Sequence, residues 1–172
     1  MDRGCITLIG MPSSGKSTIG VVLAKMAGMS FLDGDLLIQE KTGKRLMDLI
    51  AEYGDDGFRE IEDRICAGIK AENTVIAPGG SVVYGENAMK HLKSLGPVVY
   101  LKLSYPAVRR RVGNLLNRGV TMKKGQTFRQ LYDERCILYG KYADIVIDEK
   151  GLNTRKVAEA IMKAVFEDES GE

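Results

Sequence analysis

The sequence predicts an α/β protein, with five parallel strands in one sheet and helices on both faces. Two observations lead there. Five short, β-branched, apolar runs recur along the 172 residues, at 5–9, 29–35, 74–77, 97–103 and 144–148. Between them lie segments whose apolar residues are spaced three and four apart. Strands that alternate with helices favour parallel pairing, and strands apolar on both sides need cover on both faces. At this length one domain spanning 1–172 is expected.

The elements follow in order. CITLI (5–9) is a buried strand bounded by glycine. The helical spacing from Lys16 to about Ala27 stops at Gly28, a good helix terminator. MSFLDGD (29–35) reads as a second strand running into a turn. Residues 34–71 are helical in character, broken at Gly43 and near Gly54, and both LMDLIAEY and FREIEDRICAGI carry an apolar face. TVIA (74–77) is a third strand and enters the glycine-rich turn PGGS. A helix over 86–95, a strand over 97–103 and a basic helix over 106–117 come next. GVTMKKGQ (119–126) has no apolar periodicity and two glycines, so it is a loop. A helix over 128–142, the strand DIVID and an amphipathic helix over 153–167 complete the pattern. The acidic tail EDESGE (167–172) is expected to fray.

Composition excludes several classes. With 44% apolar and 28% charged residues the chain is an ordinary globular one rather than a disordered one. A net charge of +2 gives no global reason to expect nucleic acid or a membrane surface as partner. No apolar run approaches the roughly 18 residues of a membrane helix, and Pro and Gly interrupt the start before it could serve as a secretory leader. Cys5, Cys66 and Cys136 form no CxxC pair and are odd in number, which predicts three reduced thiols in a cytoplasmic protein. The charge is unevenly spread. Residues 102–141 hold ten basic residues against two acidic ones, +8, leaving −6 on the rest. Such a concentration suits a bound polyphosphate.

The strongest motif is Gly10-Met-Pro-Ser-Ser-Gly15-Lys16-Ser17, which matches GxxxxGK[ST] between a strand and a helix. Its backbone N–H groups and the helix N-terminus would face phosphate oxygens, Lys16 would reach the β- and γ-phosphates, and Ser17 would ligate Mg²⁺. ATP and Mg²⁺ are therefore the expected cofactors, with Gly10, Ser13, Ser14, Gly15, Lys16, Ser17 and Thr18 as nucleotide contacts. Asp33 and Asp35 are two apart, so in extended chain they point the same way. One could hold Mg²⁺ through water while the other takes a proton from an attacking hydroxyl. A solvated turn is the competing reading. Arg59 and Glu62 share a helical face, either as an exposed ion pair or as a fork for a substrate carboxylate with Glu62 bracing it. Pro78-Gly79-Gly80-Ser81 is either an ordinary turn or a backbone surface that a ligand can approach closely.

In this order and spacing, GMPSSGKST, FLDGD, GDDGFREIE, APGGSVV and RCILYGKYADIVID resemble the shikimate kinases, small P-loop kinases, over nearly the whole chain. The resemblance implies the P-loop kinase fold, with a substrate-binding segment at about 33–62 and a lid at about 118–128. It implies Asp33 as the Mg²⁺-associated acid and Asp35 as the residue that binds the acceptor hydroxyls and acts as base. Arg59 would hold the substrate carboxylate with Glu62 orienting it, and Gly79 and Gly80 would line the substrate floor. Arg118 matches the lid arginine, Arg110 a position that contacts ATP, and Asn153 and Arg155 fall in the adenine-binding loop. The chain also departs from the pattern. The family usually follows its LY with a second carboxylate-binding arginine, whereas Leu138-Tyr139 is followed by Gly140, and Lys141 is the nearest cation. Ser81 replaces the usual third glycine, and Gly119 follows Arg118 where proline is usual. The implied activity is ATP-dependent phosphorylation of a hydroxyl on a small carboxylate metabolite, shikimate first, by a monomer with no nucleic-acid or membrane partner. Homoserine or a sugar acid as acceptor, and a P-loop ATPase or switch without one, are the alternatives.

Overall fold

The computed structural model describes residues 4–113 and 120–167. Strand β1 (Ile6–Ile9) leads into helix α1 (Lys16–Ala27), and strand β2 (Ser30–Asp33) into helices α2 (Gly34–Thr42) and α3 (Leu46–Ala67). Strand β3 (Thr74–Ala77) is followed by a 3-10 turn (Val82–Tyr84) and helix α4 (Glu86–Leu95). Strand β4 (Val98–Lys102), helix α5 (Tyr105–Val112), helix α6 (Phe128–Tyr142), strand β5 (Ile145–Asp148) and helix α7 (Thr154–Phe166) complete the chain. The five expected strands form one parallel sheet in the order β2-β3-β1-β4-β5.

Alternation along each strand splits the core into two layers. Ile6, Leu8, Val75, Val99 and Leu101 pack under α1 and α7 against Ile19, Leu23, Val157 and Ile161. Cys5, Ile9, Ile76, Val98 and Tyr100 face the other side, under Cys66, Met89, Leu92, Val108, Leu131 and Tyr139. A third, smaller cluster of Ile38, Leu49, Phe58 and Ile65 pins α2 to α3 beside the sheet. The break expected near Gly54 is a kink inside α3, where that residue takes φ 71°. All three cysteines are free thiols. Among the described residues no helix is long and apolar enough to cross a membrane.

Two boundaries differ from the sequence expectation. The second strand ends at Asp33 and α2 begins at once, so no turn carries Asp35; it lies in the first helical turn. The basic helix ends at Val112, and 114–119, including Arg118 and Gly119, lies outside the described residues, as does the acidic tail beyond Glu167. His91 is half-buried with Nε2 2.6 Å from the Ile69 carbonyl oxygen.

Candidate active site

In a parallel sheet all strand C-termini share one edge, so Gly10, Asp33, Pro78 and Glu149 emerge together. A cavity of about 440 Å³ opens at this edge. One wall is the P-loop, with Pro12, Ser13, Gly15, Lys16, Ser17 and Thr18. The facing wall holds Asp35, Glu62, Gly79, Gly80, Thr121 and Arg135.

The P-loop has the backbone of an anion cradle. Ser13 (φ 65°) and Gly15 (φ 89°) sit in the left-handed region, which turns the chain sharply into α1. The N-cap of α1 is Gly15, which has no side chain to cap the helix, so the first N–H groups suit an anionic ligand. Ser14 is buried and its hydroxyl has no hydrogen-bond partner among the described residues. Lys16 is almost fully buried and donates to the carbonyl oxygens of Gly10 and Met11, both at 2.9 Å. Burial lowers its pKa to about 8, with Asp35 opposing the fall, so the ammonium is held ready for an anionic partner.

Asp33 and Asp35 converge for a reason other than an extended chain. Asp33 is the N-cap of α2: Oδ1 accepts from the backbone N–H groups of Asp35 (2.9 Å) and Leu36 (3.1 Å). Its second oxygen accepts from the Ser17 hydroxyl at 2.9 Å, which ties α2 to the P-loop. Helical geometry then carries Asp35 into the cavity wall. Burial raises the Asp35 pKa and Asp33 adds to the rise, while Lys16 opposes it.

Gly79 is a matter of space. A Cβ there would stand 2.8 Å from Asp35 Oδ1 and 2.8 Å from Glu62 Oε2, so both carboxylates close over the bare backbone. At Gly80 a Cβ would meet Pro12 Cδ at 2.9 Å and Arg135 Nη1 at 3.0 Å. Tyr139 fixes this turn by donating from its hydroxyl to the Gly80 carbonyl oxygen at 2.6 Å.

Glu62 is 1% exposed, and burial pushes its pKa up to about 7. Its Oε1 accepts from the Ser81 hydroxyl at 2.5 Å. Ser81, where a third glycine was expected, therefore has a structural use. Arg59 interacts with Glu62 electrostatically; its guanidinium lies over the Tyr84 ring, 3.7 Å from its centroid, and Nε and Nη2 have no hydrogen-bond partner among the described residues. Its neighbours Phe58 and Glu62 line the cavity, and Arg59 borders that stretch of wall through Tyr84.

The family model for shikimate kinase matches residues 12–166. The chain belongs to the shikimate kinase family. A shikimate kinase from Thermodesulfovibrio yellowstonii is 34% identical over 161 residues, covering 92% of each chain. One from Clostridium botulinum (strain Eklund 17B) is 39% identical over 138 residues, covering 79% of this chain and 82% of that one. Among solved structures, a shikimate kinase from Acinetobacter baumannii in complex with shikimate superposes with a TM-score of 0.86 at 28% identity, covering 96% of this chain and 94% of that one. One from Aquifex aeolicus superposes with a TM-score of 0.81 at 26% identity.

Within this shikimate kinase framework one expected residue lies away from the cavity lining. Lys141 is exposed, lies against the Tyr142 ring and takes no part in the cavity wall. The cation at that wall is Arg135, which the sequence reading passed over. It is 1% exposed, and its Nη2 donates to Thr121 at the carbonyl oxygen (3.0 Å) and Oγ1 (3.1 Å). Its Nε has no partner. The signal was in the sequence: Phe128, Leu131, Arg135 and Tyr139 are spaced three, four and four apart, so an arginine lies on the buried stripe of α6.

The expected nucleotide-side residues outside the P-loop lie beyond the cavity. Arg110 is exposed on α5. Asn153 is the N-cap of α7, accepting from the Lys156 N–H at 2.9 Å, and Arg155 pairs with Glu159 at 3.0 Å on its surface.

Proposed function

We propose that this chain transfers the γ-phosphoryl group of ATP to a hydroxyl of shikimate, giving shikimate 3-phosphate. The observation that carries the reading is the cavity itself. A P-loop with Lys16 and Ser17 faces a carboxylate, Asp35, and a guanidinium, Arg135, across one small space. An acceptor that offers both a hydroxyl and a carboxylate matches that wall, and family membership makes shikimate the first choice.

Phosphoryl transfer needs positioning and charge neutralisation more than covalent chemistry. The amides from Gly10 to Thr18 hold the phosphates, and Lys16 leaves its two carbonyl partners to neutralise the transferring group. Asp35 orients the acceptor hydroxyl and takes its proton; a carboxylate with a raised pKa is a better base than an exposed one. Arg59 and Arg135 bind the acceptor carboxylate, Glu62 sets the far wall, and Gly79 and Gly80 form the floor. Arg118 serves as the lid arginine, while Arg110, Asn153 and Arg155 contact the nucleotide. The oxygen donors Ser17 Oγ and Asp33 Oδ2, 2.9 Å apart, suit a hard cation that keeps most of its other ligands as water and phosphate. They would hold Mg²⁺, which supplies charge neutralisation at the phosphates when bound.

The test is ADP release measured over shikimate, homoserine and sugar acids. ADP formation that depends on shikimate supports the reading. Equal ADP release with and without any acceptor refutes it in favour of an ATPase.

A further inference from the structure

Tyr84 takes part in none of the steps above, yet both acceptor-side arginines gather on it. It closes the 3-10 turn that follows Gly79-Gly80-Ser81. The Cζ atoms of Arg59 and Arg135 lie 3.7 Å and 5.6 Å from its ring centroid. Its hydroxyl donates to Glu134 Oε1 at 2.6 Å, and Gln126 Nε2 donates to the second Glu134 oxygen at 3.3 Å. The ring is thus anchored from outside while it carries two cations.

Two guanidinium groups brought together repel, and each sits on a long, flexible chain. Among the described residues the Arg59 Nε and Nη2 are buried without hydrogen-bond partners, so bonds at those two atoms do not set its plane. Arg135 donates from Nη2 to Thr121 and also interacts with the Tyr84 and Tyr139 hydroxyls, while its Nε has no partner among the described residues. The electron-rich ring face, which attracts guanidinium cations and stacks on their plane, orients Arg59 and adds to the hydrogen bonds that hold Arg135. Stacking leaves the N–H edges free, as two-point recognition of a carboxylate requires.

We propose that Tyr84 is a positioning residue: its ring holds Arg59 and Arg135 as a preformed carboxylate-binding pair, and Glu134 locks the ring. This rests on the reading that the acceptor carboxylate is bound by those two arginines. Preorganisation of this kind lowers the cost of ordering side chains on binding, so its loss falls on acceptor affinity.

The test compares shikimate with its carboxamide as acceptor for wild type, Tyr84→Ala, Tyr84→Leu and Tyr84→Phe. The KM for ATP and the thermal midpoint are recorded for each. Tyr84→Ala and Tyr84→Leu should each raise the shikimate KM roughly 3- to 30-fold. The KM for ATP should not move, nor should kcat/KM for the carboxamide, which lacks the charge the pair would hold. Tyr84→Phe keeps the ring but loses the hydroxyl that Glu134 holds, so its shikimate KM should fall between those of wild type and Tyr84→Ala. The leucine variant fills the core without an aromatic face, so it decides the matter if the alanine variant does not fold. The proposal is overturned if both acceptors lose equally, if leucine serves as well as tyrosine, or if phenylalanine is as poor as alanine. A wild-type enzyme that ignores shikimate overturns the acceptor reading instead. The same comparison on the hydroxy acid it does use, with and without the carboxylate, then decides the role of Tyr84.

Discussion

Replacing Glu62 with Gln should stabilise the protein at high pH and matter far less in mild acid. Glu62 is 1% exposed, has one oxygen bonded to Ser81 at 2.5 Å, and its other oxygen lacks a partner. Burial raises its pKa from 4.5 to about 7. An acid that holds its proton more tightly when folded gives its full stability below the unfolded value of 4.5, and loses it as pH rises through 7. At about 1.4 kcal/mol per pH unit between the two values, the loss levels off near 3 kcal/mol above pH 8. Gln can still accept from the Ser81 hydroxyl, and it has no charge to bury. Urea unfolding of both proteins should therefore show the stability difference moving in favour of Gln by roughly 2–3 kcal/mol between pH 5 and pH 8.5. Glu149, whose pKa burial also pushes up to about 7, adds its own slope to both proteins and cancels in the difference. A stability difference that stays flat with pH would refute the reasoning, because it would mean that the Glu62 carboxylate is as well solvated or paired when folded as when unfolded.

Three further outcomes follow from the site. Asp35→Asn should leave the KM for ATP within about twofold and lower kcat by roughly 10²- to 10⁴-fold, as loss of a general base does; near wild-type turnover in the ADP-release assay rules out that role. Gly79→Ala puts a methyl 2.8 Å from carboxylate oxygens of both Asp35 and Glu62, so those groups must shift. Its kcat/KM for shikimate should fall by about 1–3 kcal/mol in transition-state terms while ATP binding is retained, and unchanged kinetics would show that the floor yields. Arg135→Lys keeps the charge and loses the planar fork that reaches Thr121. The shikimate KM should rise about tenfold or more, whereas an unchanged KM places the carboxylate elsewhere.

What could be read from the sequence was local. The P-loop, the β-branched strands and the glycine helix stops each depend on a few neighbouring residues, and they fall within a residue or two of expectation. Leu-Asp-Gly-Asp was misread because aspartate before a helical segment is also a good N-cap. Asp33 takes that cap, and a helix replaces the extended turn. Lys141 was chosen for its nearness to Tyr139 in sequence, but residues two apart on a helix point to opposite sides. Arg135, four before Tyr139, shares its face and its burial. Charged residues are usually solvated, and only the packing of α6 against the Gly79-Gly80 turn makes Arg135 a cavity wall. The stacking of Arg59 on Tyr84 joins two segments 25 residues apart, and no spacing rule reaches that far.

The distribution of unmet hydrogen bonds explains why such an arrangement persists. Among the described residues, eight buried side-chain polar atoms lack a partner, on Thr7, Ser14, Arg59, Glu62, Asn73, Arg135 and Glu149. Six of these atoms belong to the P-loop, to the acceptor side or to Glu149 at the same sheet edge, rather than being scattered through the core. Each buried polar group left unmade costs about 1–3 kcal/mol, so a fold selected for stability alone would not gather them in one place. Among the described residues the unmet donors on Arg59 and Arg135 and the unmet acceptor on Glu62 do not hydrogen-bond one another. Burial holds the acids toward their neutral forms, while the guanidinium groups stay charged and stack on an aromatic face. The acceptor wall therefore keeps a positive edge that an incoming carboxylate can satisfy, at the cost in stability that the pH dependence of Glu62 would measure.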